Sequence, residues 1–202
     1  MKAWLIPVLL FFALPAPILA GPIQVGQPLP EITIPQKGMM VPDYEVKEGR
    51  MVFKKGGSIN YQAWHSKEMT GRVRTVYHMA ARDGVDEINA SYIDALVAES
   101  LPETLPDAPY KTITILNLDD ALWGTRGIAK MRLEKSQKKF PYARYVADEK
   151  GTAIEAWGLK KKESAVIVLS PEDRVLFFKE GEMTSEEIAT AVRLIKKELG
   201  LP

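Results

Sequence analysis

The alternation of apolar and polar residues divides the chain into strands and helices, with one unit at its centre. The stretch from Arg72 to Met79 is rich in strand formers, and its near-continuous apolar run predicts a strand covered on both faces. A short polar turn follows at 80–84. Apolar residues then recur at helical spacing from Val85 to about Glu99. We expect this strand, turn and helix to organise the rest of the fold.

Strands and helices continue to alternate after this unit. The predicted elements are a strand at 111–118, a basic helix at 127–140, a strand at 144–146, a helix at 153–158, strands at 165–169 and 174–178, and a helix from Thr184 to Gly200. The basic helix is expected to turn Ile128, Met131, Leu133 and Phe140 inward. The last helix carries a capping box at its start and a glycine at its end. This order predicts an α/β fold, a mixed sheet flanked by helices on both faces.

The segment before the central strand has weaker signals. Residues 31–35 alternate and predict a short strand, and a β-hairpin is expected to turn at Lys47 to Arg50. Together they form a predicted N-terminal hairpin extension over about 31–57. Residues 60–69 are interpreted as a loop or a single turn. We expect one domain over 21–202.

Residues 1–20 have the pattern of a signal peptide. Lys2 precedes an apolar run of about a dozen residues, which is short for a bilayer span, and Pro15 and Pro17 break it. An uncleaved anchor helix is the alternative, and the two prolines disfavour it. We therefore expect cleavage before Gly21, a periplasmic location, and no membrane span in the mature chain.

Composition excludes several classes of function. Lys and Arg number 27 against 26 Asp and Glu, so nothing indicates nucleic-acid binding. The lysine run at 160–162 and the basic helix could meet an anionic membrane, but we interpret them as a solvated face. The chain has no cysteine, which excludes thiol-based redox catalysis, thiolate metal sites and cysteine nucleophiles.

Two short motifs resemble those of periplasmic thioredoxin-like oxidoreductases. Residues 71–78 (GRVRTVYH) resemble the strand that precedes their active site, and Trp157-Gly158-Leu159 resembles an element before their last hairpin. Counting on without a gap, their Cys-x-x-Cys motif falls on Asp83-Gly84-Val85-Asp86. Their cis-proline falls near Ser164. The resemblance therefore implies a thioredoxin-like fold without its redox cysteines.

A broader set of motifs resembles the YtfJ family of bacterial periplasmic proteins, which are thioredoxin-like and of unassigned function. The supporting stretches are YQAWHS at 61–66, GRVR at 71–74, HMAAR at 78–82, TILNLDDA at 114–121, FP at 140–141 and AWGL at 156–159. They cover nearly all of the mature chain. The resemblance implies a fold and a compartment, and it implies no activity.

The candidate site consists of polar residues at the predicted carboxyl ends of the central strands. Its members are His78, Asp83, Asp86, Asp119 and Asp120. Their carboxylates could hold a hard cation such as calcium, although the chain has no Asp-x-Asp-x-Asp-Gly loop. The structural alternatives are that Asp83 and Asp86 cap the following helix, that His78 is a buried core histidine, and that Asp119 caps the next turn.

These observations predict an exported, non-catalytic binding or accessory protein. No cofactor is expected, and the expected partner is another periplasmic protein. The alternative is a non-thiol enzyme or a cation-binding protein that uses the carboxylate-rich crevice. Whether the acids converge on one pocket decides between them.

Overall fold

The elements follow the predicted alternation closely. The structure is a computed structural model that describes residues 21–85 and 87–202. Its strands are β1 (Thr33–Pro42), β2 (Tyr44–Lys47), β3 (Arg50–Phe53), β4 (Ile59–His65), β5 (Val73–Ala80), β6 (Tyr110–Asn117), β7 (Arg144–Asp148), β8 (Ser164–Leu169) and β9 (Val175–Glu180). Its helices are α1 (Ala90–Ala98), α2 (Arg126–Lys139), α3 (Thr152–Trp157) and α4 (Ser185–Glu198), with 3-10 turns at Ser66–Met69 and Leu118–Asp120.

Seven strands form one mixed sheet in the order β4-β1-β7-β6-β5-β8-β9. Strands β5, β6 and β7 are parallel, and antiparallel strands flank them on both sides. Strands β2 and β3 form a separate hairpin, as predicted. The carboxyl ends of β5, β6 and β7 therefore meet at one edge of the sheet, where a site in an open α/β fold is expected.

Side chains alternate between two covered faces of the sheet. On the first face, Tyr77 and Val166 pack with residues of α1 and α4, and Leu116 packs with Leu133 of α2. On the second face, Val76 and Ile115 pack with α3 and with the N-terminal arm. The predicted capping box of α4 is present, because the side chain of Thr184 accepts from the backbone N–H of Glu187. The mixed α/β sheet flanked by helices is confirmed.

Two local predictions are wrong. One concerns the segment before the central strand, and the other concerns the helix after it. Residues 59–65 form β4, an edge strand paired with β1, and not a loop. The first helix begins at Ala90, not at Val85, and Asn89 occupies its N-cap position. Residues 81–85 and 87–89 are therefore loop, so Asp83 cannot cap this helix.

The inward face of α2 also differs from the prediction. Leu133 is buried, as expected, and Gln137 one turn later is buried with it. Ile128 and Met131 are 49% and 48% exposed, so they do not belong to the core. Ala129, Leu133 and Gln137 are spaced four residues apart, and this stripe faces the sheet in place of the predicted one.

The predicted signal peptide at 1–20 lies outside the described residues. Among the described helices, none is long and apolar enough to cross a membrane.

Candidate functional site

A buried polar cluster occupies the carboxyl edge of the sheet. His78 lies two residues before the end of β5, Asn117 ends β6 and Asp148 ends β7, and each is at most 1% exposed. Asp120 follows on the 3-10 turn and is 6% exposed. His78, Asn117 and Asp148 occupy alternate positions with Val76, Ile115 and Val146, so they belong to the second face of the sheet.

Backbone N–H groups and the Asn117 side-chain amide satisfy the two buried carboxylates of this cluster. One oxygen of Asp120 accepts from the Asn117 amide at 2.8 Å and from the backbone N–H of Lys162 at 2.9 Å. The oxygens of Asp148 accept from the backbone N–H groups of Lys150 at 3.3 Å and Ala153 at 2.8 Å. These bonds connect the strand ends to the loops before β8 and α3, which is a structural role.

His78 is held in its neutral form. Burial lowers the pKa of His78 from 6.5 to about 4, and the nearby charges of Asp148 and Asp120 only partly oppose this shift. Its Nε2 is buried and has no hydrogen-bond partner among the described residues. At neutral pH this imidazole therefore carries no charge.

The predicted acids that belong to the described residues do not converge on one pocket. His78 and Asp120 lie together, whereas Asp119 is exposed and its backbone N–H donates to the side chain of Asn117 at 3.1 Å. The carboxylate of Asp83 is 92% exposed and lies 3.4 Å from the guanidinium of Arg132. Asp86 lies outside the described residues.

A cation site finds no support in this geometry. Among residues 21–85 and 87–202, no group of three or more His, Cys, Asp or Glu side chains is arranged to hold a metal ion. Asp148 joins the buried cluster although it was not predicted, and its carboxylate is already bound by backbone N–H groups.

Asn89 connects the loop after β5 to the start of β8 and to the segment after β9. This buried side chain donates to the hydroxyl of Ser164 and to the carbonyl of Gly181, and accepts from the backbone N–H of Met183, each at 3.0 Å. Ser164 is the position where the cis-proline of the oxidoreductases was expected. Tertiary hydrogen bonds from Asn89 therefore hold the start of α1 in place.

A concave surface lies on the opposite face of the sheet from the buried cluster. It is a groove of about 430 Å³ whose floor is formed by β5, β6 and β7 and whose walls are α1 and α2. Leu116 and Tyr145 lie on the floor, Leu96 lines the α1 wall, and Ala129 lines the α2 wall. This volume falls in the range of small-molecule sites in proteins.

Both walls of this groove expose apolar side chains. Val97 on α1 is 70% exposed, and Leu122 and Ile128 on the α2 side are 53% and 49% exposed. Trp123, beside Leu122, is fully exposed. An open groove with apolar side chains on both walls is typical of a binding surface rather than of a packed core.

Comparison with known families identifies close sequence relatives. A family model described as "Bacterial protein of unknown function (YtfJ_HI0045)" matches residues 23–198. The uncharacterised protein YtfJ of Escherichia coli K12 is 33% identical over 184 residues, which cover 91% of each chain. An uncharacterised protein of Haemophilus influenzae is 36% identical over 155 residues, covering 77% of this chain and 82% of that protein.

Solved structures share the fold at low sequence identity. A protein of Chlorobium tepidum, described as a thiol:disulfide interchange protein DsbE, aligns with a TM-score of 0.55 at 15% identity, covering 87% of this chain and 99% of its own. A protein of Bacteroides thetaiotaomicron, described as a protein disulfide isomerase, aligns with a TM-score of 0.54 at 15% identity. The alignment covers 88% of this chain and 91% of that chain. The thioredoxin-like fold predicted from the sequence is confirmed.

Proposed function

This chain belongs to the bacterial family of unknown function YtfJ_HI0045, and we propose that it is an exported, non-catalytic binding protein of the periplasm. The groove between α1 and α2 carries this proposal, because it combines a suitable volume with exposed apolar walls. A thioredoxin fold exchanges disulfides through a cysteine thiolate. The chain has no cysteine, so the fold serves here as a scaffold.

Binding of an apolar compound tests this proposal. N-phenyl-1-naphthylamine is a neutral dye whose fluorescence rises in apolar surroundings, and we expect it to bind the mature protein in the groove. Val97→Glu should weaken this binding about tenfold or more, because the new carboxylate would have to lose water beside the apolar dye. Val97 is exposed, so its replacement should change the free energy of unfolding by no more than about 0.5 kcal/mol.

Val25→Glu is the matched control for this measurement. Val25 is 62% exposed, and it lies in the N-terminal arm outside the groove. The Val25→Glu variant should therefore bind the dye as the unmodified protein does. Equal binding by both variants, or no binding by the unmodified protein, would remove the groove as the functional surface.

Export is a separate part of the proposal, supported by the sequence pattern of residues 1–20. We expect the chain, expressed in full in a Gram-negative host, to be recovered from the periplasmic fraction with Gly21 at its N terminus. N-terminal sequencing and intact mass measure this directly. A chain that retains Met1 would refute cleavage, and recovery with the membrane fraction would favour the anchor helix.

A further inference from the structure

The groove is polar at its two ends, and the two ends differ in charge. Arg82, Asp83 and Arg132 line the end near the carboxyl termini of the strands, whereas Glu103 and Thr112 line the other. Thr112 and Leu116 are four residues apart on β6, so the floor of the groove extends about 13 Å along this strand. The rest of the inference rests on the proposed function, because it concerns the ligand of the same groove.

At the end near the carboxyl termini of the strands, Arg82 has a hydrogen-bond donor without an acceptor. Its side chain is half-buried, and its Nε is buried without a hydrogen-bond partner in the described part of the chain. A buried guanidinium N–H without an acceptor is costly, and an anionic oxygen would satisfy it. The orphaned N–H group therefore indicates where a negatively charged group would bind.

Arg132 supplies a second positive charge at the same end. Its guanidinium is 68% exposed, and its contact with the carboxylate of Asp83 is long, at 3.4 Å. Asp83 is itself 92% exposed, and such exposed pairs are worth little. Water and an anionic ligand can therefore compete with Asp83 for Arg132, which lines the groove together with Arg82.

Glu103 sets the direction in which a charged ligand can lie. It is half-buried, and its carboxylate accepts from the hydroxyl of Thr112 at 3.0 Å. Burial raises the pKa of Glu103, yet any charge it carries repels an anion at this end. An anionic group is thus favoured at the arginine end and disfavoured at the glutamate end.

We infer that the groove binds an amphiphile with a single anionic head group, which contacts Arg82 and Arg132 while its apolar tail extends toward Glu103. The head can be a carboxylate or a phosphate, since both accept hydrogen bonds from guanidinium groups in the same way. The tail lies on Leu116 and Tyr145 and between Leu96 and Ala129. Free acids and phosphate esters with alkyl chains have this chemistry.

Displacement of the neutral dye by three ligands with the same tail tests this inference. The ligands are decanoate, decyl phosphate and decan-1-ol, measured at pH 7.5. At least one of the two anions should bind about tenfold or more tightly than the alcohol, which is the scale of a hydrogen bond to a charged group. The more tightly bound anion distinguishes a carboxylate ligand from a phosphate ester.

Arg82→Gln should abolish the preference for the anion, because it weakens binding of the anion about tenfold more than binding of decan-1-ol. Arg193→Gln is the matched control, since it removes the same charge from an exposed residue of α4 outside the groove. Thermal unfolding establishes that both variants fold. Equal binding of anions and alcohol, or a preference that survives Arg82→Gln, would overturn the inference while leaving the binding function intact. Failure of the dye itself to bind would overturn both.

Discussion

Replacing Asp173 with Asn is expected to lower the free energy of unfolding by about 3 kcal/mol, because it leaves a buried arginine without its counter-charge. Arg74 lies in β5 with a side chain that is 0% exposed, and its Nη2 contacts a carboxylate oxygen of Asp173, which is 15% exposed. Its remaining bonds go to the carbonyls of Arg72 and Ser170. Neither carbonyl carries a charge that could replace the carboxylate.

Asn is the informative substitution because Asp173 has a φ of +66°. Asn tolerates this left-handed conformation, so the variant tests the charge and not the backbone. Urea unfolding measures the change. Glu99→Gln breaks the partly exposed ion pair with Lys196 (2.9 Å), and should cost only about 0.2–1 kcal/mol.

The double variant Arg74→Met with Asp173→Asn separates the charge from other effects. It should be more stable than Asp173→Asn alone, since a buried position without charge avoids the cost of an unpaired guanidinium. If the double variant loses as much as the two single changes added together, the ion pair does not explain the effect.

The central architecture could be predicted because its signals are local. Strands β5, β6 and β8 are buried runs of strand formers, and α4 has an apolar stripe together with a capping box. The edge strand β4 was missed although Ile59, Tyr61 and Ala63 alternate with polar residues. The alternation is weak there because only Trp64 is buried.

The start of α1 could not be predicted from local signals. Acidic residues after Ala81 resemble a helix N-terminus, and sequence alone favoured a helix from Val85. In the structure Asn89 makes three hydrogen bonds to Ser164, Gly181 and Met183, all more than 70 residues away. Long-range hydrogen bonds therefore fix where α1 begins, and the local sequence pattern does not reveal them.

The buried polar cluster and the groove also differ in how far they can be predicted from the sequence. His78 and Asp120 could be placed at the carboxyl ends of neighbouring strands because the order of elements fixes which ends meet. Asp148 was missed because β7 extends two residues beyond the predicted end at Val146. The groove depends on which stripe of α2 faces the sheet. The apolar pattern of that helix is too weak to distinguish the predicted stripe, with Ile128 and Met131, from the observed one, with Ala129 and Gln137.

Acid is expected to destabilise the protein through His78. The pKa of His78 is lowered from 6.5 to about 4 by burial, so between these values the unfolded chain binds a proton that the folded chain does not. The free energy of unfolding therefore falls as the pH drops through this window and is unaffected by His78 above it. Between pH 7.5 and pH 4.5 the loss from this residue should be about 2–3 kcal/mol.

Urea unfolding at these two pH values, in the unmodified protein and in His78→Gln, measures this loss. Other groups titrate in both proteins, so the difference in their pH dependence isolates the histidine. The chain has one other histidine, His65, which is exposed and bonded to Thr33, and His65→Gln should keep the full pH dependence. If His78→Gln keeps it as well, the pKa of His78 is the same in the folded and unfolded chain, and the nearby charges of Asp120 and Asp148 fully offset the cost of burial.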